Sequence, residues 1–202
     1  FDGNGVALYQ LNGNANDVSG NYNGTVVGSV SYEAGFFGQA VYSNNSSGDI
    51  ITSSIPNTSV QTLSFWLNIS ATYSDEVFIG SYTPFRPATS SPAVFVNTGS
   101  AVAVALPSIP LNQWNNIVLT VNNGSLDYYL NGSFVGSYSS GVNYIYWFNL
   151  LSGDTVVPNT HKLDQVRVFN SGLTPLEVES LYQERIVLCG GQADTLDILG
   201  DN

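Results

Sequence analysis

The stretch LDYYLNGSFV, residues 126–135, joins two strand-like runs through the dipeptide Asn131-Gly132. Asparagine and glycine tolerate positive φ angles, which both central residues of a two-residue type I′ hairpin require. The stretch therefore predicts two antiparallel strands connected by a tight turn.

Strand-like runs of the same kind extend in both directions from this hairpin. Short segments rich in Val, Ile, Tyr, Phe and Trp are separated by clusters of Gly, Asn, Ser and Pro, a pattern typical of an antiparallel sandwich. The sequence thus predicts an all-β chain. The candidate strands are 5–11, 25–32, 38–43, 48–53, 61–69, 76–82, 92–97, 101–106, 114–122, 125–130, 133–138, 145–151 and 163–169.

One short helix is predicted after the last strand. Thr174, Pro175 and Glu177 have the spacing of a capping box with proline at the first helical position, and Leu173 with Val178 can form a hydrophobic staple. We expect the helix to end near Gln183. Residues 1–185 are then one domain, and residues 186–202 form a linker or assembly tail that is apolar enough to contact a partner.

Composition limits the function classes. The chain has 202 residues, of which 43 % are hydrophobic and 9 % charged, and its net charge is −11. Because the few basic residues are scattered, no stripe exists that would follow a phosphate backbone, and we expect no nucleic-acid binding. No apolar run approaches the roughly 20 residues of a membrane-spanning helix, so we expect no membrane insertion. A single cysteine permits no internal disulfide.

Five stretches together resemble the laminin G-like jelly-roll domains of the concanavalin A-like lectin and glucanase fold. The resemblance implies a two-sheet antiparallel jelly-roll sandwich with adjacent first and last strands. The stretches are Val6–Asn21, Gly35–Val41, Leu63–Leu67, Asn112–Val118 with the hairpin, and Leu163–Glu177.

The low charge, the abundance of Asn and Ser and the segment 195–201 further resemble tandem repeats in tail-fibre or structural proteins of marine bacteriophages. This resemblance implies a virion or extracellular location, and neighbouring repeat domains or a second copy of the chain as partners. No methionine and no signal peptide are present, so we expect a processed chain or a piece of a longer one.

The loop after the first strand is a candidate calcium site. Asp17 supplies a charge, Asn21 and Asn23 supply neutral oxygens, and a turn at Gly20 can point backbone carbonyls inward. The resemblance implies that Asp164 on the last strand completes the site. The alternative is an ordinary turn, because Asn and Asp often hydrogen-bond their own backbone.

Catalysis is not expected. Retaining glycosidases need two carboxyl groups about 5–5.5 Å apart, and residues two apart on a strand share a face. No candidate strand carries acids at such positions, and His161, interpreted as a loop residue, has no nucleophile motif to serve.

Binding of a cell-surface glycan through aromatic side chains is the expected function. Trp66 and Trp114 coincide with core positions of the family and are expected to pack inside. The candidate ligand-binding residues are Tyr144, Tyr146 and Trp147 on one strand and Tyr82, Phe85 and Arg86 in a proline-flanked loop. The alternatives are a covered strand and an ordinary exposed loop, and the whole chain is alternatively a structural spacer without a receptor.

Overall fold

The structure is a computed structural model that describes residues 4–43, 50–52, 54–56, 60–70, 93–96, 100–103, 109–139, 141–145, 149–151 and 161–184. Most predicted strands are confirmed with ends that agree to within four residues, whereas the predicted strand 76–82 lies outside the described residues. The elements are β1 (Gly5–Tyr9), β2 (Thr25–Val27), β3 (Val30–Ala34), β4 (Gln39–Ser43), β5 (Ile50–Thr52), β6 (Thr62–Ile69), β7 (Ala93–Val96), β8 (Ser100–Ala103), β9 (Trp114–Asn122), β10 (Ser125–Leu130), β11 (Ser133–Ser139), β12 (Asn149–Leu151), β13 (His161–Phe169) and α1 (Pro175–Gln183).

The largest sheet is antiparallel and contains eight strands. Its order is β11-β10-β9-β6-β13-β4-β3, and β1 pairs with β13 beside this path. The last strand uses two neighbours on one side, because its first part pairs with β4 and its second part pairs with β1. The first and last strands are therefore adjacent, as the resemblance implied.

Two smaller sheets, β12-β5-β2 and β7-β8, are also antiparallel. The prediction of one continuous strand over 25–32 was wrong, because Gly28 has a φ of +85° and divides the segment. The part before Gly28 belongs to the three-stranded sheet, and the part after it belongs to the large sheet. Glycine adopts positive φ at little cost, so the chain changes sheets at this residue.

The main core covers one face of the large sheet. Because side chains alternate along a strand, the residues between these core positions point to the opposite side, which we call the outer face. Trp66 on β6 and Trp114 on β9 are among them. The core positions of β6, β9 and β13 are Leu63, Phe65, Leu67, Ile69, Ile117, Leu119, Val121, Leu163, Val166 and Val168.

The predicted hairpin is confirmed between β10 and β11. Asn131 and Gly132 have φ angles of 51° and 75°, and Leu130 pairs with Ser133 across the turn. The Asn131 side chain also attaches the turn to β9, since its Oδ1 accepts a hydrogen bond from the Asn116 amide at 2.8 Å.

The predicted helix is confirmed together with its cap. The Thr174 hydroxyl accepts from the Glu177 amide at 3.3 Å, and Glu177 Oε2 accepts from the Thr174 amide at 2.7 Å. Val178 is buried with Leu173 in a second apolar cluster, which also contains Val118, Tyr129 and Phe169 of the large sheet. The helix therefore packs on the outer face. None of the described helical segments is long and apolar enough to cross a membrane.

A bulge interrupts β13 where the strand exchanges β4 for β1 as its neighbour. Leu163 pairs with Val41 of β4, whereas Val166 pairs with Tyr9 of β1. Gln165 lies between them with a φ of 48°, a conformation that is uncommon for a residue other than glycine. Bulges bend a strand and redirect its side chains. Here the bulge follows Asp164, whose carboxylate meets the turn between β3 and β4.

Candidate functional site

Asp17 organises the loop after β1 through both oxygens of its carboxylate. The amides of Leu8 and Ser19 donate to Oδ1 at 3.0 Å and 3.3 Å. The Tyr22 amide donates to Oδ2 at 3.2 Å, and the Ser19 hydroxyl donates to the same oxygen. A carboxylate has about four acceptor positions, so these four donors fill them. The loop is thereby folded around a buried side chain.

The other predicted calcium ligands of this loop also make hydrogen bonds within it. Asn23 Oδ1 accepts from the Asp17 amide at 3.1 Å. Gly20 has a φ of 75°, and its amide donates to the Asp17 carbonyl at 2.8 Å. The Asn21 side chain is exposed, while its amide donates to the Ser19 hydroxyl at 3.3 Å.

Asp164 is fully buried against the turn Gly35–Gly38. Its Oδ2 accepts from the Phe37 amide at 2.8 Å. A Cβ at Gly35 would lie 2.7 Å from that oxygen and 2.6 Å from the carbonyl carbon of Gln39, so only glycine fits there. The opening loop reaches the same turn through Asn12, whose Oδ1 accepts from the Gln39 amide at 2.6 Å. The described hydrogen bonds of Asp17 and Asp164 thus go to different segments.

The residues as arranged do not fit the predicted calcium ion. Calcium takes six to eight oxygen ligands, and hydrogen-bond donors already occupy both oxygens of Asp17. In the part of the chain that the structure describes, no group of three or more His, Cys, Asp or Glu side chains could hold a metal ion. The geometry favours the alternative interpretation, a turn stabilised by its own side chains. Calcium binding itself stays a prediction.

Three ionisable side chains are buried on β13: Arg167, which pairs with Glu184, and His161 and Asp164, whose pKa values are shifted. His161 is fully buried, and desolvation lowers its pKa to about 3, so the imidazole is neutral at pH 7. Burial raises the pKa of Asp164 to about 7, although the hydrogen bond from the Phe37 amide acts in the opposite direction. The interpretation of His161 as a loop residue was wrong, since it begins β13 and pairs with Ile69. Neither His161 nor Asp164 reaches solvent.

An aromatic cluster occupies the middle of the outer face. The ring of Phe36 lies on Trp66 with centroids 3.6 Å apart and planes 13° apart, and Tyr182 of α1 stacks on Trp66 at 5.9 Å. Trp114 meets Phe36 edge to face at 6.4 Å. Trp66 is buried by these neighbours, while Phe36 is 37 % exposed and Trp114 is half-buried.

The packing role predicted for Trp66 is confirmed, but Trp66 packs on the outer face and Trp114 stays partly accessible. Phe36 was missed as a candidate binding residue. It lies beside Phe37 in a four-residue turn between two strands, and the two rings meet edge to face with centroids 4.6 Å apart. Phe37 is buried and Phe36 is not. Two consecutive aromatic residues between two predicted strands were the available signal.

Five of the six predicted ligand-binding residues, Tyr82, Phe85, Arg86, Tyr146 and Trp147, lie outside the described residues. Tyr144 is described and half-buried. It precedes Ile145, which is fully buried in the main core and whose amide donates to the Val60 carbonyl at 2.8 Å. The binding role of all six stays a prediction.

The pairing of first and last strands, the antiparallel layers and the capped helix define a jelly-roll sandwich of the concanavalin A-like class. The chain belongs to the concanavalin A-like lectin/glucanases superfamily, whose laminin G model matches residues 38–179. No significant match was found among curated proteins.

Solved structures with the same fold include domain 4 of AbnA, an extracellular arabinanase from Geobacillus stearothermophilus, in complex with arabinotriose. It is 21 % identical at a TM-score of 0.65, over 89 % of this chain and 98 % of that one. The binding domain of Paraclostridial Mosquitocidal Protein 1 is 20 % identical at a TM-score of 0.71, over 89 % of this chain. The receptor-binding domain of botulinum neurotoxin C/D mosaic serotype is 17 % identical at 0.66, over 91 %. The match spans 52 % of each toxin chain.

Proposed function

We propose that this chain is a non-catalytic binding module that recognises a cell-surface glycan, as part of a virion fibre or an extracellular adhesin. The observation that carries the proposal is the accessible aromatic surface on the outer face. Phe36 is 37 % exposed beside Trp114, and its ring stacks on Trp66, which in turn stacks with Tyr182. Sugar rings offer a face of C–H groups to such rings and a rim of hydroxyls to neighbouring amides.

The relatives by fold support a binding role. One of them is an arabinanase domain in complex with arabinotriose, and two others are a binding domain and a receptor-binding domain of toxins. The arabinanase domain belongs to an extracellular enzyme, which favours an extracellular setting for this chain as well. The virion setting rests on the sequence resemblance alone.

The proposal of a non-catalytic module rests on the carboxylates. The described ranges contain seven carboxylates. Six of them contact partners in their own chain, and Asp127 is the one not among these six. Asp17 and Asp164 accept backbone hydrogen bonds, Glu33 and Glu184 pair with Lys162 and Arg167, Glu177 caps α1, and Glu179 accepts from Gln183. Hydrolysis of a glycoside needs two carboxyl groups that face the substrate, whereas each of these six makes a hydrogen bond or an ion pair within the chain.

A glycan array tests the proposal. The isolated chain should bind one or more glycans, and Phe36→Ala should weaken that binding, with circular dichroism at the assay temperature establishing that the variant is folded. Phe134→Ala is the matched control, since Phe134 is 58 % exposed on the edge strand β11. If no glycan binds and the chain forms a stable oligomer by size-exclusion chromatography, the structural spacer is the better description.

A further inference from the structure

Five side chains form a line across the outer face, one from each of five neighbouring strands. The strand registers pair Trp114 with Asn68, Asn68 with Lys162, Lys162 with Tyr42, and Tyr42 with Ser31. We call these five residues the cross-strand row. Neighbouring strands are about 4.8 Å apart, so the row extends over about 19 Å. It is longer than one sugar ring.

The cross-strand row is an accessible part of this face. All five of its side chains are partly exposed. The next row along the strands contains Asn116, Trp66 and Asp164, which are all buried, and Phe36 and Tyr182 stack on Trp66. The cross-strand row therefore begins at the edge of the aromatic cluster, where Trp114 contacts Phe36.

Three polar groups of the row are available to a ligand. The Asn68 amide, the Tyr42 hydroxyl and the Trp114 indole N–H make no hydrogen bond to another residue in the part of the chain that is described. These groups combine donors and acceptors, as a partner rich in hydroxyl groups requires. The ring of Trp114 begins the row and the ring of Tyr42 lies three strands away, and both add apolar faces with polar edges.

The single positive charge of the row is neutralised by a neighbouring carboxylate. Lys162 Nζ lies 2.7 Å from Glu33 Oε2, so the row's only cation is paired. The whole chain has a net charge of −11, which disfavours an approaching anion. The charge distribution therefore selects against sialylated and uronic-acid sugars.

We propose that the cross-strand row binds a neutral oligosaccharide that lies across the strands, with rings over Trp114 and Tyr42 and hydroxyls bonded by Asn68, Lys162 and Ser31. This inference rests on the proposed glycan-binding function and names its location and substrate class. The preference for neutral sugars distinguishes this site from the predicted loop site, where the cation Arg86 would favour an acidic sugar.

The test compares variants on one array that carries neutral hexose and pentose oligosaccharides beside uronic-acid and sialylated ones. Tyr42→Ala and Asn68→Ala should each weaken binding of the strongest neutral ligand about tenfold or more, the effect of losing a central contact. Tyr138→Ala, a partly exposed tyrosine on the far edge strand β11, should change it less than about twofold. Melting temperatures establish that each variant is folded.

Glu33→Gln adds a second test, because it leaves Lys162 without its partner. The variant should gain binding to the uronic-acid arm of the array, which the parent lacks. Neutral ligands bound equally by parent, Tyr42→Ala and Asn68→Ala would overturn the location while leaving the proposed function intact. Binding restricted to anionic glycans would overturn the substrate class. Absence of binding to every glycan would refute the proposed function itself.

Discussion

Replacing Asp164 by Asn should change how stability depends on pH. Burial raises the pKa of Asp164 from 3.8 to about 7, so folding favours its protonated form. Its contribution to stability therefore grows as the pH falls from 7 towards 3.8. Burial lowers the pKa of His161 from 6.5 to about 3, with the opposite effect. The stability that neutral His161 allows is complete above pH 6.5 and is lost as the pH falls towards 3.

The two contributions nearly cancel in the parent protein. Each pKa unit corresponds to about 1.4 kcal/mol, so between pH 8 and pH 5 Asp164 adds about 3 kcal/mol and His161 removes about 2 kcal/mol. Asn keeps an oxygen that accepts from the Phe37 amide but does not titrate. In Asp164→Asn only the His161 contribution remains, so the variant should lose about 2 kcal/mol of unfolding free energy between pH 8 and pH 5. In the parent, the two groups together change the unfolding free energy by about 1 kcal/mol or less over the same range.

Urea unfolding followed by circular dichroism at pH 5, 6, 7 and 8 measures this difference. Asp127→Asn is the matched control, because it removes a half-buried carboxylate from β10 without touching β13. The curve of stability against pH for the control should follow that of the parent. If Asp164→Asn also follows the parent across this range, Asp164 does not offset His161 and the reasoning is refuted.

Three further substitutions test local parts of the structure. Asp17→Ala should lower the unfolding free energy by about 3 kcal/mol, because the buried Leu8 amide and its companions lose their acceptor; a calcium chelator should leave the melting temperature of the parent unchanged, and a drop would restore the calcium interpretation. Gly35→Ala should cost about 3 kcal/mol or more, since the new Cβ would lie 2.6 Å from the Gln39 carbonyl carbon; a parent-like melting temperature would contradict this contact. Thr174→Ala should cost about 1 kcal/mol through the lost helix cap, as measured by urea unfolding, and Thr174→Ser should retain most of that stability.

Local signals explain which parts of the fold the sequence could predict. The hairpin depends on two adjacent residues, Asn131 and Gly132, and the helix cap depends on Thr174 and Glu177 three positions apart. Both were predicted correctly because the interacting residues are neighbours in the chain. Gly28 shows the limit of the same reasoning. A glycine between strand-forming residues can be tolerated within a strand or can turn the chain, and only the two sheets decide which.

The environments of Asp164 and His161 could not be predicted, because they depend on how β13 is paired. The strand exchanges β4 for β1 at Gln165, and that exchange aims Asp164 at the amide of Phe37, which is 127 residues away in sequence. His161 resembles a loop residue beside Lys162, yet strand alternation sends His161 to one side and Lys162 to the other. The pKa shifts of both buried groups follow from this pairing.

The residues exposed on the outer face also depend on contacts between distant segments of the chain. Tryptophan in a strand predicts burial, and the sequence predicts it equally for Trp66 and Trp114. The difference arises from what covers them, since Phe36 and Tyr182 enclose Trp66 while Trp114 lies at the margin of that cluster. The cross-strand row likewise needs four separate strand registers to bring its five residues into line. A binding surface assembled in this way has no sequence motif, so its residues are found only through the register of the sheet.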